Sequence, residues 1–385
     1  MKNNPLTPSL HFPNFSDDWE EKRLGDIAEK YIGGGTPSTK EPKFWENGNI
    51  PWIQSSDIDK EKVINVTIQK NITEQALKNS SAKIIPKNSI AVVTRVGVGK
   101  VALMNEIYST SQDFLSFVNL KENEKFWVYK IKQLMERQSL YLQGTSIKGI
   151  TKDELLKVNT LSPSLPDQEK IGQFLSLVDK KIELEENKLE LLKERKKGWL
   201  QKLFNQDIRF KDENGNDYPA WSKNEIKNIV SSLPTKKYIV ATDNITSNEL
   251  DFPVYQQGLQ PLYNYAIQEP FKDYVNVILF GDHTLSLYSP KKEFLLATDE
   301  VKLLMFDNFN TSFSYYMLQY FMPKSQGYKR HFSILKEVVV SYPSLPEQEK
   351  IAGFLSKQDE LIEVQEKKVE LLKQQKKGLL QKMFV

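Results

Sequence analysis

The sequence predicts an α+β fold in which two mixed α/β domains are separated by two long antiparallel coiled-coil helices, with pseudo-two-fold symmetry between the halves. Three observations support this fold class: a duplicated segment of 42 residues, a regular spacing of apolar residues within each copy, and strand-like runs outside the copies. With 385 residues, the chain is long enough for two or three domains.

The duplicated segment organises the chain. Residues 163–171 read PSLPDQEKI, and residues 343–351, 180 positions later, read PSLPEQEKI. When the copies are aligned without gaps as far as residues 204 and 384, 27 of the 42 positions are identical. The chain is therefore predicted to have four parts: a first domain (1–162), a first helix (163–204), a second domain (205–342) and a second helix (343–385).

Each copy of the segment has the features of a long helix. Alternating steps of 4 and 3 residues from Ile171 reach an apolar residue at eight of ten positions, and the same steps from Ile351 do so at seven of ten. This spacing is typical of a coiled-coil seam. Capping-box residues and first-turn prolines indicate where each helix begins: Ser164, Pro166 and Asp167 in the first copy, and Ser344, Pro346 and Glu347 in the second.

The order of the four parts predicts that the helices are antiparallel. A helix of about 37 residues spans about 55 Å, which is more than one globular domain needs. The first helix ends where the second domain begins, and the second helix begins where that domain ends. Both of these helix ends therefore lie beside the same domain, and only an antiparallel pair meets this condition.

The regions outside the helices show mixed patterns. The first domain is predicted to open with an amphipathic helix at Trp19–Lys30, so that the glycine-rich segment Gly33–Ser38 does not follow a strand. Further on, we predict strands at Ile50–Gln54, Ile90–Thr94, Lys100–Met104, Phe114–Val118 and Lys157–Leu161 and a helix at Phe126–Leu142. The second domain is predicted to contain strands at Val277–Phe280, Phe294–Ala297 and Lys302–Phe306 and a helix at Ser312–Met322.

Composition excludes several classes of protein. Lys and Arg number 53 and Asp and Glu 50, so the formal charge of +3 lacks the basic excess that would by itself indicate a nucleic-acid partner. The absence of cysteine excludes disulfides and thiolate metal sites, and three histidines make a zinc site unfavourable. No run of about 20 apolar residues is present, which predicts a soluble, cytoplasmic protein.

Catalytic motifs are nearly absent. Gly97-Val-Gly-Lys100 matches only a fragment of a phosphate-binding loop, because Val101 stands where that loop needs a serine or threonine. We interpret it as a turn between strands. No aminomethyltransferase, zinc-protease or serine-hydrolase motif occurs. The chain is therefore predicted not to be an enzyme by itself.

Polar loop residues remain as candidates for reading a surface, through contacts to phosphates or to base edges. In the first domain they are Gly34, Thr36, Ser38, Thr39, Lys40, Gln54, Ser55, Ser56, Arg95, Lys100, Ser146 and Lys148. In the second domain they are Gln256, Gln257, Asp282, His283, Thr284, Lys291, Lys329, Arg330 and His331. The alternatives are an ordinary glycine-rich turn at residues 33–40 and a structural role for His283.

The duplicated segment and the domain entries give the chain a resemblance to the specificity (S) subunit of type I restriction-modification systems, over essentially its full length. The matching motifs of the helices are PSLP[D/E]QEKI and the lysine-rich ends at 198–202 (GWLQK) and 378–382 (GLLQK). The matching motifs of the domain entries are GGGTPS at 33–38, IPWI at 50–53, FKDENG at 210–215 and YPAW at 218–221.

This resemblance implies a division of labour. Each domain would be a target-recognition domain that reads one half of a bipartite sequence in double-stranded DNA, and the helices would fix the spacer. Two modification subunits would methylate adenine N6 with S-adenosylmethionine, and two restriction subunits would supply ATP- and Mg-dependent translocation and cleavage. The chain itself would hold no cofactor and no metal. The alternative is a coiled-coil scaffold or surface-recognition protein whose two domains bind peptide or glycan.

Overall fold

The computed structural model describes residues 8–13, 18–64, 66–142, 149–327 and 329–384. The chain forms two compact units. The first unit combines residues 1–186 with residues 368–385, and the second consists of residues 187–367. Both unit boundaries fall inside the long helices, so each unit contains part of both. The four-part division based on the sequence stays a prediction.

Strands and short helices form the globular part of each unit. In the first unit these elements are β1 (Glu20–Arg23), β2 (Ala28–Gly33), β3 (Ile50–Ile53), β4 (Lys70–Ile72), α1 (Glu74–Asn79), β5 (Ser89–Val93), β6 (Val101–Met104), β7 (Ser109–Thr110), β8 (Phe114–Leu120), α2 (Glu124–Leu142), α3 (Lys152–Leu156) and β9 (Asn159–Ser162). The first long helix, α4 (Leu165–Phe204), follows.

In the second unit the elements are β10 (Ser222–Glu225), β11 (Val230–Leu233), β12 (Ile245–Thr246), β13 (Phe252–Tyr255), β14 (Leu262–Ala266), β15 (Ile278–Gly281), β16 (Leu287–Tyr288), β17 (Leu295–Leu296), β18 (Val301–Phe306), α5 (Thr311–Phe321), α6 (Phe332–Lys336) and β19 (Val339–Tyr342). The second long helix, α7 (Leu345–Met383), completes the fold.

The two units have similar sheets, and the second unit has one additional strand, β12. The first unit contains sheets β2-β8-β5-β6 and β4-β3-β7 and the pair β1-β9, and the second contains β11-β18-β15-β16, β12-β14-β13-β17 and β10-β19. The pairs β3-β7 and β13-β17 are parallel, and the other named pairs are antiparallel. The predicted α+β class and its internal repeat are therefore confirmed.

The predicted helix at Trp19–Lys30 is wrong. This segment forms β1 and β2, with one turn of 3₁₀ helix at Leu24–Asp26 between them. β1 pairs with β9 and β2 pairs with β8, so hydrogen bonds to distant strands outweigh the local helical pattern. The apolar residues that suggested a helix, Trp19, Leu24 and Ile27, are buried in the core. The glycine-rich segment consequently does follow a strand, β2.

The long helices run antiparallel within each unit, as predicted. Their contacts include ion pairs in which the α4 residue nearest the start of that helix in each unit, Asp179 or Lys193, pairs with the α7 residue farthest along the other helix. These pairs are Asp179–Lys376 (2.5 Å), Glu185–Lys368 (2.6 Å) and Glu186–Lys373 (2.7 Å) in the first unit, and Lys193–Glu366 (3.0 Å) and Lys196–Asp359 (2.5 Å) in the second.

One hydrophobic core in each unit joins the sheet to the helix pair. In the first unit it contains Phe117 from β8, Trp127 from α2 and Leu175 from α4, together with Phe384 beyond the end of α7. The second unit repeats this arrangement with residues of β18, α5, α4 and α7. The sheet is therefore anchored to the helices through α2 or α5.

A buried tyrosine reinforces this anchor at equivalent places in the two units. In the first unit, the Tyr129 hydroxyl of α2 donates to Asp179 Oδ2 (2.6 Å), and Asp179 also pairs with Lys376. In the second unit, Tyr316 of α5 donates to Asp359 Oδ2 (2.7 Å), and Asp359 pairs with Lys196. The two aspartates and the two lysines are each 180 positions apart, so the duplicated helices supply the same partners to both units.

Replacing Tyr129 by phenylalanine is expected to destabilise the first unit by about 2 kcal/mol near neutral pH, because a hydrogen bond to a carboxylate is lost. Burial, and then the charge of Asp179, raises the pKa of Tyr129 above its ordinary value. Below about pH 10 the Tyr129 phenol is protonated in both the folded and the unfolded protein. Above about pH 10 the phenol ionises in the unfolded protein only, so the free energy of unfolding of the wild type falls as the pH rises.

The difference between wild type and Tyr129→Phe in urea unfolding should therefore shrink between about pH 8 and about pH 11. Tyr263→Phe, which changes an exposed ring, is the matched control, and its free energy of unfolding should equal that of the wild type at both pH values. An equal difference for Tyr129→Phe at both pH values would contradict this account.

Candidate nucleic-acid interface

The loops that follow β3 and β5 converge in the first unit. The Lys100 ammonium donates to the backbone oxygen of Ser55 (2.8 Å). A Cβ placed on Gly97 would lie 3.6 Å from Ser55 Cβ. The segment after β7 joins them, because the Ser111 N–H donates to Ile53 O (3.0 Å). We call residues 54–57, 95–100 and 111–113 the first loop cluster.

The glycines at the entry of this region are required by packing. A Cβ on Gly34 would lie 1.9 Å from Thr110 Oγ1 and 2.1 Å from the Ser111 carbonyl oxygen. A Cβ on Gly35 would lie 2.3 Å from the Ser81 carbonyl oxygen. Close approach of neighbouring backbone therefore accounts for both residues, as in the alternative of an ordinary glycine-rich segment.

Replacing Gly34 by alanine is expected to destabilise the first unit by about 3 kcal/mol, because the added methyl group overlaps backbone that cannot shift easily. Gly33→Ala is the matched control, since the nearest atom to a Cβ there is 3.8 Å away, in ordinary contact. Urea unfolding measures both variants. Equal stabilities of the two would show that the Thr110 segment can move aside.

The other predicted residues of this segment are on the surface. Thr36 donates to Gln112 Oε1 (2.5 Å) and so lies beside the first loop cluster. The carbonyl oxygen of Ser38 accepts from the Trp45 indole (3.0 Å), while Ser38, Thr39 and Lys40 are exposed. These hydroxyl and ammonium groups can contact an anionic partner.

The loop after β3 is fixed by its own hydrogen bonds. The Gln54 N–H donates to Asp57 Oδ2 (2.9 Å), and the Gln54 side chain accepts from the Asp57 backbone in return. Ser56 is exposed and donates to Asp57 Oδ1 (3.4 Å). Because its carbonyl group is held in place by this capping box, Gln54 presents its amide group in a defined position.

Arg95 is exposed at the edge of the first loop cluster, whereas Lys100 turns inward to Ser55. Ser146 and Lys148 lie outside the described residues. The chain beyond them returns to the cluster, because the Ile150 N–H donates to the carbonyl oxygen of Thr94 (2.8 Å). Their role as contact residues stays a prediction.

The second unit contains a matching set of loops, which we call the second loop cluster: residues 256–260, 281–286, 300 and 329–331. The Gln257 amide donates to Glu300 Oε2 (2.5 Å) and accepts from the His283 N–H (3.0 Å). His283 Nε2 lies 3.8 Å from Glu300 Oε1. Gly258 N–H donates to Ser286 Oγ (2.9 Å), which also contacts Thr284 Oγ1 (2.8 Å).

Two predicted residues of the second unit are buried. Asp282 accepts from the Phe332 N–H (2.8 Å), and its carbonyl oxygen lies 3.1 Å from His331 Nδ1. His331 Nε2 accepts from the Gln326 N–H (3.1 Å). Asp282 and His331 are 2% and 0% exposed, so they hold the loops together and cannot reach a ligand directly. Lys329 and Arg330, which precede His331, are exposed.

The remaining three polar candidates separate in space. Thr284 and Gln256 lie on the second loop cluster, and Gln256 Nε2 donates to Gln260 O (3.3 Å). Lys291 instead pairs with Glu363 of α7 (2.7 Å), and the hydrogen bonds of Lys291 and Lys367 together lower the pKa of Glu363 to about 2. Lys291 is therefore engaged with a long helix.

The same backbone hydrogen bonds build both clusters. They are Thr94 N–H to Asp113 O (2.8 Å) and Ile150 N–H to Thr94 O (2.8 Å) in the first unit, and Asp282 N–H to Glu300 O (2.9 Å) and His331 N–H to Asp282 O (2.7 Å) in the second. The side chains at equivalent places differ. Two matching scaffolds thus carry two different sets of polar groups.

Several cluster residues were not predicted from the sequence. Gln112, Glu300 and Ser286 bond to the predicted residues Thr36, Gln257 and Thr284, yet they follow strands without a motif of their own. Within the described residues, no group of three or more His, Asp or Glu side chains could hold a metal ion. No described helix is both long and apolar enough to cross a membrane.

The amino-acid sequence is similar to a family model and to several known proteins, all of one kind. The model of the type I restriction modification DNA specificity domain matches residues 16–194. The specificity subunit of type I restriction enzyme MjaIX from Methanocaldococcus jannaschii is 27% identical over 71% of this chain and 65% of that protein. The EcoR124I/EcoR124II specificity subunit from Escherichia coli is 33% identical over 44% of this chain and 43% of that protein. The chain thus matches less than two thirds of the length of either relative.

Solved structures show the same fold over nearly the whole chain. The type I restriction-modification S subunit from M. genitalium has a TM-score of 0.63 at 17% identity, covering 98% of this chain and 99% of that one. A chain from a study of complex assembly and conformational transition of the type I R-M system has a TM-score of 0.53 at 16% identity, covering 96% and 98%. Residues 16–194 thus match the type I restriction modification DNA specificity domain, and the chain shares its fold with type I restriction-modification S subunits.

Proposed function

We propose that this chain is the non-catalytic DNA-reading subunit of a type I restriction-modification complex, and that each loop cluster reads one half of a bipartite target in double-stranded DNA. The observation that carries the proposal is the pair of matching scaffolds with different polar side chains. Equivalent loops with different groups are what two half-sites of different sequence require.

The surface chemistry of the clusters supports this reading. Exposed Arg95, Lys329 and Arg330 suit phosphate oxygens, which supply most of the affinity for DNA. The amides of Gln54 and Gln256 suit base edges, since glutamine can bond adenine through two atoms. With a net charge of +3, the chain is expected to hold DNA firmly only within a larger complex.

We further propose that two modification subunits bind the long helices. Exposed apolar side chains support a protein contact there, because exposed apolar surface that recurs along a helix marks an interaction site. They are Leu177, Leu184 and Leu371 in the first unit, and Leu191, Leu361 and Val364 in the second. Two restriction subunits would complete a cytoplasmic complex. S-adenosylmethionine, ATP and Mg would be bound by these partners.

The proposal is tested by exchanging residues 1–162 for the equivalent residues of another specificity subunit. The chain is co-expressed with its modification subunits, and methylated adenines are mapped by sequencing a genome that carries them. We expect one half of the methylated sequence to change and the other half to stay. The purified complex should have the same composition before and after the exchange.

Two results would count against the proposal. A change in both half-sites would contradict independent reading by the two units. The absence of sequence-specific methylation in an intact complex would favour the alternative, in which the two domains bind peptide or glycan.

A further inference from the structure

The hairpin between β13 and β14 presents an apolar side chain at its tip. Leu259 is 103% exposed, so no other part of the chain covers it. Its neighbours Gln256, Gln257 and Gln260 are polar. A leucine at the centre of a polar loop makes no contribution to the core of the unit, and this one stands beside the polar groups of the second loop cluster.

The hairpin holds this side chain away from the rest of the unit. The Gln256 N–H donates to Pro261 O (2.7 Å), and the Gln256 amide donates to Gln260 O (3.3 Å). Gly258, whose φ is +110°, is bonded through its N–H to Ser286 Oγ (2.9 Å). Folding Leu259 back onto the unit would break these bonds. These hydrogen bonds therefore keep Leu259 projecting away from the unit.

The groups around Leu259 indicate which part of a ligand this side chain can contact. Gln257 contacts His283 across the second loop cluster, and Thr284 lies on the same loop as His283. Amide, imidazole and hydroxyl groups bond to the polar atoms of base edges. Leu259 can form no such bond. The apolar group on a base edge in the major groove is the C5-methyl group of thymine.

We propose that Leu259 is a specificity-determining residue that packs on the C5-methyl group of a thymine in the half-site read by the second unit. This inference rests on the proposed function and assigns one kind of base to one side chain. It adds an apolar contact to a cluster whose other candidate residues are polar.

Deoxyuridine tests the proposal, because it differs from thymidine only by lacking this methyl group. The modification complex is assembled with wild-type chain, and its target sequence is established by mapping methylation. Each thymine of the second half-site, on either strand, is then replaced singly by deoxyuridine. For one position we expect kcat/KM for methylation to fall about three- to tenfold, the factor expected when burial of a methyl-sized group is lost.

The Leu259→Ala complex should be slower on the thymine substrate by a similar factor and should no longer respond to deoxyuridine at that position. Leu250→Ala is the matched control. Leu250 is 94% exposed and lies before β13, whereas Leu259 lies beyond its other end. Its complex should respond to deoxyuridine as the wild type does.

The inference is overturned if no deoxyuridine has an effect, if the half-site contains no thymine, or if Leu259→Ala keeps the wild-type response. Loss of modification subunits from the Leu259→Ala complex would also overturn it, by indicating a protein contact. Failure of the proposed function looks different, because the wild-type complex would then methylate no specific sequence.

Discussion

Replacing Arg209 by methionine is expected to destabilise the second unit by about 3 kcal/mol, because it leaves a buried carboxylate without its cationic partner. Arg209 Nε and Nη2 donate to the two oxygens of Glu347 (3.1 and 2.7 Å). The Trp221 indole donates to the same carboxylate (3.3 Å). Glu347 is fully buried in the first turn of α7, so water cannot replace the guanidinium. Urea unfolding measures the loss.

Lys227→Met is the matched control for this prediction. Lys227 pairs with Glu225 and Glu337 on the surface of the same unit. Exposed pairs contribute little, and we expect no measurable change in stability. Arg209→Lys should fall between the two, because an ammonium keeps the charge but loses the two-point geometry. Equal losses for Arg209→Met and Lys227→Met would mean that Glu347 is solvated.

Replacing Gln257 by alanine is expected to lower methylation of the cognate target about fivefold to about 150-fold, the factor for about one to three kcal/mol of lost recognition. Gln257 joins Glu300 to the His283 backbone, so its loss frees two loops of the second loop cluster at once. The mapped sequence should become degenerate in the second half-site only. Gln257 acts here as a positioning residue.

Gln268→Ala is the matched control for Gln257→Ala. The Gln268 amide donates to the Lys237 carbonyl oxygen (2.9 Å), beyond the far end of β14. Its complex should methylate the wild-type target at the wild-type rate. If Gln257→Ala slowed methylation without relaxing any base position, the residue would serve stability and not recognition.

The long helices could be predicted from the sequence because their signals are local and repeated. Apolar spacing, first-turn prolines and 27 shared identities all point the same way. The segment at 19–30 carries a similar apolar spacing but forms strands, because β8 and β9 supply hydrogen-bond partners from more than 80 residues away. Hydrogen-bond partners this distant in the sequence cannot be inferred from a local pattern of apolar residues.

The candidate site could be predicted as a set of loops but only partly as a set of side chains. Residues such as Gln54, Arg95 and Gln257 do lie on the converging loops. His331 has the same polar character in the sequence, yet a carbonyl oxygen and an N–H group from other segments surround it. Whether a polar residue faces solvent or bonds to a neighbouring loop depends on tertiary packing.

The first unit is made of two separate segments of the chain, and this sets the order in which the two units are completed during synthesis. Its core includes Met383 and Phe384, whereas all of the second unit lies between its two segments. When the ribosome has made residue 367, the second unit has all of its residues, while the first unit still lacks its last helical segment. The part of the protein that is translated first is therefore the last to become complete, and its exposed apolar surface must stay free of aggregation until then.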